Sequence, residues 1–232
     1  MKTFKKFHYS LIIMSAAIML LYGCGNNKTG KNEPEIKADT AIAYVDKVPA
    51  DAKKIDLKSA IIQMQSSAMG LTQNITIYFD DYGRRQMSEV SQKLMGQEMK
   101  MCTIKDSLYI YTYTIGEKTG KKKKVDIENN PDDINFNAIT RDMARELKLK
   151  KNGTAEILGR KCDVYNMEVA KVKLKGTYYI WKGIPLMTKS TVMGMEIKLE
   201  ATKIDENPVI PADKFKVPSD IKFEEANEDM EI

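Results

Sequence analysis

Three cysteines, one histidine and two pairs of adjacent aspartates are the residues of this chain whose types could carry chemistry. The histidine, His8, stands near the N-terminus, and none follows it. It falls in a segment that reads as a removed signal, so the remaining chain has no histidine for Ser-His-Asp or Cys-His nucleophile activation, imidazole proton shuttling or the common imidazole metal sites. Asp80-Asp81 and Asp132-Asp133 could serve paired-acid glycoside chemistry or hold calcium. Neighbouring strand residues face opposite sides, however, and neither pair has the spacing of a calcium loop. A turn and a helix start account for them. Met99-x-Met101-Cys102 offers soft ligands for Cu(I), but alternation directs Cys102 away from the two methionines. The sequence therefore predicts no enzyme, no cofactor and no metal.

What remains is residues suited to binding. Tyr109, Tyr111 and Tyr113 alternate and so share one face of a strand. Met193, Met195, Ile197 and Leu199 do the same. Tyrosine and methionine supply large, adaptable apolar area that could line a pocket for an acyl chain. The same stripes could equally be plain core.

Short alternating runs broken by Gly, Asn and Asp must position these stripes. Strands are predicted over residues 58–65, 74–79, 98–104 and 108–115, with a weaker one over 85–94. More follow at 155–158, 160–169, 177–181, 186–192 and 195–204. Gly183-Ile184-Pro185 and Met193-Gly194 read as hairpin turns. Residues 116–124 (GEKTGKKKK) read as a solvated basic loop, with contact to a membrane surface as the sharper alternative. Asn130-Pro131 resembles a helix cap followed by a first-turn proline, so a helix is predicted over 134–149, ended by Asn152-Gly153. Ile139, Met143, Ala144 and Leu147 lie near one stripe of it. Three prolines bar residues 208–220 from a central strand. The fold class is mainly β (α+β): eight to ten antiparallel strands with one main helical segment.

The first residues give an address. Lys2, Lys5 and Lys6 precede an apolar run, Leu11 to Leu21, that is too short to span a bilayer. It ends in Leu21-Tyr22-Gly23-Cys24. This layout resembles a bacterial lipoprotein signal over residues 1–23, with Cys24 lipidated and tying the chain to a membrane. Residues 24–53 are polar and read as a tether, 54–223 as the domain, and 224–232 as an acidic tail. Without the signal, 34 basic and 32 acidic residues remain, close to neutral and without a footprint for nucleic acid. Cys102 and Cys162 are then left for an oxidising compartment, either as a disulfide or as two buried thiols on separate strands.

The order of elements resembles the LolA/LolB-like superfamily of lipoprotein carriers. The likeness runs from about Ile55 to Phe223 and rests on three stretches. One is the tyrosine-glycine turn of Ile77-Tyr78-Phe79-Asp80-Asp81-Tyr82-Gly83. The second is the glycine-started strand Leu158-Gly159-Arg160-Lys161-Cys162-Asp163-Val164-Tyr165, with the hairpin Tyr179-Ile180-Trp181-Lys182-Gly183-Ile184-Pro185-Leu186. The third is a closing segment with Ile210-Pro211, Phe215 and Val217-Pro218. The resemblance implies a curved antiparallel sheet, an incomplete barrel, with helix on its concave side. The soluble carrier of that superfamily is not lipidated, and none of its substrate-gating residues maps onto a position here. The implied function is an envelope lipoprotein that binds a lipid or other hydrophobic ligand. The alternative is an envelope protein-interaction or sensing module. Bacteroidota-type lipoproteins reach the surface through an acidic cluster after the cysteine. Gly25 to Asn32 has no acid, which points to the periplasmic side of the outer membrane.

Overall fold

The structure, a computed structural model, describes residues 34–49, 51–94, 97–106, 108–125, 134–170 and 173–226. Cys24, the signal and the Asn130–Asp133 helix start lie outside them. Twelve strands form one curved, open sheet in the order β12-β6-β5-β4-β3-β2-β1-β11-β10-β9-β8-β7. Strands β1 (Ala60–Ala68), β2 (Leu71–Asp80), β3 (Arg85–Leu94), β4 (Gln97–Lys105), β5 (Tyr109–Thr114) and β6 (Thr119–Lys124) make one meander. A second comprises β7 (Lys150–Ile157), β8 (Arg160–Val169), β9 (Leu174–Trp181), β10 (Ile184–Val192) and β11 (Met195–Glu206). β11 returns to pair with β1, and β12 (Lys222–Glu225) closes the far edge against β6. Every strand pairing in the sheet is antiparallel except that of β12 with β6.

Alternation explains the strands. Ala60, Ile62 and Met64 of β1 and Ile75 and Phe79 of β2 are buried in one cluster. In β8 the inward phase switches in mid-strand. Cys162 and Val164 enter that first cluster, whereas Tyr165, Met167 and Val169 enter a second. Tyr179 and Ile180 of β9 divide in the same way, so this half of the sheet is covered on both faces.

The second cluster is the seat of the one α-helix among the described residues, α1 (Arg141–Glu146). It is much shorter than the predicted 134–149. The Asn137 N–H donates to the Asn135 side chain, which makes a local turn instead of helix. Thr140 then caps the helix, its hydroxyl accepting from the Met143 N–H at 3.2 Å. Lys148, at φ 45°, ends it. The predicted stop at Asn152-Gly153 falls inside β7, where a bulge lies between Lys151 and Gly153. The apolar stripe survives the shortening: Ile134, Ile139, Ala144, Leu147 and Leu149 still pack on Tyr165, Met167 and Val169.

Three other readings are corrected. The basic loop 116–124 contributes strand β6, because the β5 edge supplies a partner that outweighs lysine's poor strand preference. Part of the tether joins the domain. Lys37 and Thr154 exchange backbone hydrogen bonds at 2.7 and 2.8 Å, Val45 bridges Thr140, and Ile42 packs on the second cluster. Lys151 fixes this segment by reaching Asp39 at 2.9 Å and Asp163 at 3.0 Å. Finally, β12 crosses the expected boundary at 224, since Glu224 and Glu225 pair with Lys121 and Lys122.

Candidate functional site

The tyrosine stripe sits on a floor built by cross-strand partners. Tyr78, Met87, Ile104 and Tyr111 are successive partners across β2, β3, β4 and β5. Glu89, Cys102 and Tyr113 form the adjoining row. Partners in register share a face, so the two rows make one aromatic and apolar surface. Its cover is not regular secondary structure. The chain after β11 crosses it as a proline-punctuated segment with a 3-10 turn at Ala212–Phe215, and Phe215 and Val217 pack onto the floor. Phe223 of β12 then meets Tyr111 and Tyr113 edge-on, at centroid distances of 5.2 and 6.1 Å. Tyr109 lies further out, 5.9 Å from the Tyr111 ring.

One ion pair staples the segment down. Lys214 Nζ reaches Glu89 Oε1 at 2.6 Å and stands 4.6 Å over the Tyr78 ring. Burial pulls the Lys214 ammonium down, but the hydrogen bond and charge of Glu89 outweigh it and the net shift is upward. Burial also raises the Cys102 thiol, which keeps it protonated and unreactive at neutral pH. Tyr113 is pushed up to about 12, first by burial and then by the neighbouring Cys102.

An alkaline dependence follows. A tyrosine whose folded pKa exceeds its unfolded value of about 10 adds stability that is complete below pH 10. That contribution is lost as pH rises through about 12. Urea melts should show stability falling across this window, and Tyr113→Phe should flatten the fall. An equally steep fall in the variant would remove Tyr113 as its cause.

The other sequence candidates separate. Met193 stands at a hairpin tip, 63% exposed, with φ 51° there and 88° at Gly194. The turn ends the alternation, so Met193 lines no shared face with the rest of its stripe. Met195 opens β11 half-buried, Ile197 packs on the second cluster and Leu199 on the first. Cys102 and Cys162 are free, buried thiols in different clusters, so the disulfide does not form here. Met101 packs on the first cluster and Cys102 on the third, which divides the soft-ligand triplet between two faces. No group of three or more His, Cys, Asp or Glu among the described residues could hold a metal ion. Asp80 accepts from the Asp81 N–H at 2.7 Å and pairs with Arg85, a turn role.

Sequence reasoning named Phe215 and Val217 only as part of a closing segment, and missed Phe223 and the face that all three cover. Phe215, Val217 and Phe223 were visible as apolar residues among prolines and charges, but the face they meet lies about a hundred residues earlier in the chain. No helix among the described residues is long and apolar enough to cross a membrane.

No family model matches the chain, and no curated protein matches it. Solved structures do. An uncharacterized conserved protein from Thermus thermophilus aligns over 74% of this chain and 92% of its own, with a TM-score of 0.50 and 8% identity. MucB in complex with MucA(peri) aligns over 71% of this chain and 56% of its own, with a TM-score of 0.44 and 14% identity. A LolA superfamily protein from Nitrosomonas europaea aligns over 72% of this chain and 94% of its own, with a TM-score of 0.35 and 6% identity. The Thermus likeness is one of fold: a curved, open sheet of this kind recurs in a chain almost unrelated in sequence.

Proposed function

We propose that this chain is an envelope lipoprotein with a LolA-like domain. It is anchored through lipid on Cys24 to the periplasmic side of the outer membrane. It binds an acyl chain or similar apolar ligand and catalyses no reaction. One observation carries the ligand reading. The floor of Tyr78, Met87, Ile104, Tyr111 and Tyr113 is covered by a few side chains of a segment outside the sheet meanders. An acyl chain offers the same apolar contact as Phe215 and Val217, so it can take their place. The absence of histidine after His8 supports binding over catalysis.

The test is uptake of a fluorescent fatty acid by the detergent-purified chain. Phe215→Ala with Val217→Ala thins the cover and should tighten uptake by about tenfold, or about 1.4 kcal/mol. Tyr111→Asp should abolish it in a chain that stays folded by circular dichroism. A folded wild-type protein that takes up no lipid probe sinks the ligand reading. The second reading, a protein-docking module, is favoured by the way the chain's own last strand sits on the sheet edge.

A further inference from the structure

Strand β6 carries Lys121, Lys122, Lys123 and Lys124 in succession, with Lys118 just before it. Lysine on an edge strand usually deters pairing. This edge is nevertheless occupied. β12 lies parallel to it, with Lys222 opposite Thr119 and Glu225 opposite Lys122. The Lys222 N–H donates to the Lys118 carbonyl and the Ala226 N–H to the Lys122 carbonyl, both at 2.9 Å. Three ion pairs cross the seam: Lys118 to Asp220 at 2.9 Å, Lys121 to Glu224 at 3.2 Å and Lys122 to Glu225 at 3.2 Å.

Between these charges Phe223 drops into a slot. Tyr111 and Tyr113 form its walls and Gly120 its base. A Cβ on Gly120 would stand 2.6 Å from the Phe223 ring, so the missing side chain is what makes room. The edge thus recognises three things at once: an extended backbone, one aromatic ring, and carboxylates at fixed offsets from that ring. Asp220 lies three residues before Phe223, and Glu224 and Glu225 lie directly after it.

The resident strand is short and its ion pairs are exposed. It is four residues long. Its carboxylates are more than half exposed, and ion pairs in that setting contribute little. The segment before it is punctuated by Pro208, Pro211 and Pro218. Besides the Phe223 contact, what keeps it in place is attachment, which gives it a high effective concentration at the edge.

We propose that the β6 edge is a docking site for an extended segment of another protein. That segment carries an aromatic residue followed by two carboxylates and preceded, three positions earlier, by a third. β12 is the built-in stand-in that a partner exchanges with by strand addition. The proposal does not rest on the fatty-acid reading, although the two share Phe223.

The probe is a fluorescein-labelled peptide of residues 219–226, titrated against the detergent-purified full chain. Phe223→Ala weakens the stand-in and should bind the peptide at least about tenfold tighter than the wild type. Added salt should weaken that binding, and Lys121→Glu with Lys122→Glu should remove it. A peptide whose own phenylalanine is alanine should fail to bind. Glu224→Lys with Glu225→Lys loosens the stand-in without touching the aromatic residue. It should open the edge in the same way if Phe223→Ala proves unfolded by circular dichroism. No peptide binding by a folded, opened variant overturns the proposal, as does equal binding of the peptide lacking phenylalanine. A concentration-dependent dimer of the wild type that excludes the peptide also overturns it, because a second copy then owns the edge. Retained fatty-acid uptake alongside absent peptide binding sinks this proposal alone.

Discussion

A Cys24→Ala chain is expected to lose the processed, lipid-anchored form. It should accumulate either as an unprocessed precursor or as a soluble protein, with almost none left where the wild type resides. The apolar run ends in the Leu21-Tyr22-Gly23-Cys24 box. Its cysteine sulfur is the one atom on which this kind of anchor can be built. Each buried methylene of an acyl chain adds about 0.8 kcal/mol of membrane affinity, so two or more chains hold a protein firmly and none leaves nothing comparable. No helix among the described residues is long and apolar enough to cross a bilayer. Fractionation with and without detergent checks the expectation. A variant that is processed and membrane-bound like the wild type would falsify the anchor.

The second large effect is expected at Gly183. It sits at φ 79° in the β9–β10 turn, after Lys182 at φ 51°. A Cβ added there would collide with the backbone carbonyl oxygen of Lys54, and Asn137 Nδ2 lies 3.0 Å from the same point. That carbonyl accepts from Asn137 Nδ2 at 3.2 Å, and the Asp56 N–H donates to the Lys182 carbonyl at 3.0 Å. Gly183→Ala therefore combines left-handed strain of about 1–2 kcal/mol with displacement of the segment that leads into β1. A total of about 3 kcal/mol or more is expected, lowering the melting temperature by roughly 10 °C for a domain of this size. Gly194→Ala is the control. Its φ is 88°, but nothing lies within 4 Å of the added carbon, so only the strain should register. Equal losses at the two sites would show that the Lys54 contact contributes nothing.

The parts of this fold that were legible in the sequence are those where one face is buried and the other is wet. Ile75, Ile77 and Phe79 announce their strand by alternation, and β8 does so in two phases that meet at Val164-Tyr165. Illegible elements owe their structure to a partner far along the chain. β6 reads as a charged loop because nothing local marks it as strand; β5 on one side and β12 on the other make it one. The helix was overread because Ile139, Ala144 and Leu147 keep a helical stripe while Asn135 and Asn137 turn the backbone away from helix. Of the candidate site, the tyrosine stripe was readable, and the closing segment was readable only as a resemblance, without the face it covers. The Phe223 slot exists only because Gly120 lacks a side chain, and two residues so far apart show no joint pattern in one sequence.

The position of β11 has a kinetic consequence. Each meander is a series of hairpins that can zip from local turns, but the seam between β1 and β11 joins residues 60–68 to residues 197–206. Nearly the whole domain must be present before that seam can close, and such long-range pairing is slow because the loop entropy is lost before any contact repays it. Until then β1 shows a bare edge lined by Ile62 and Met64, with the sticky character of an unfinished sheet. A chain delivered N-terminus first must therefore keep its first half unaggregated until its last fifth arrives.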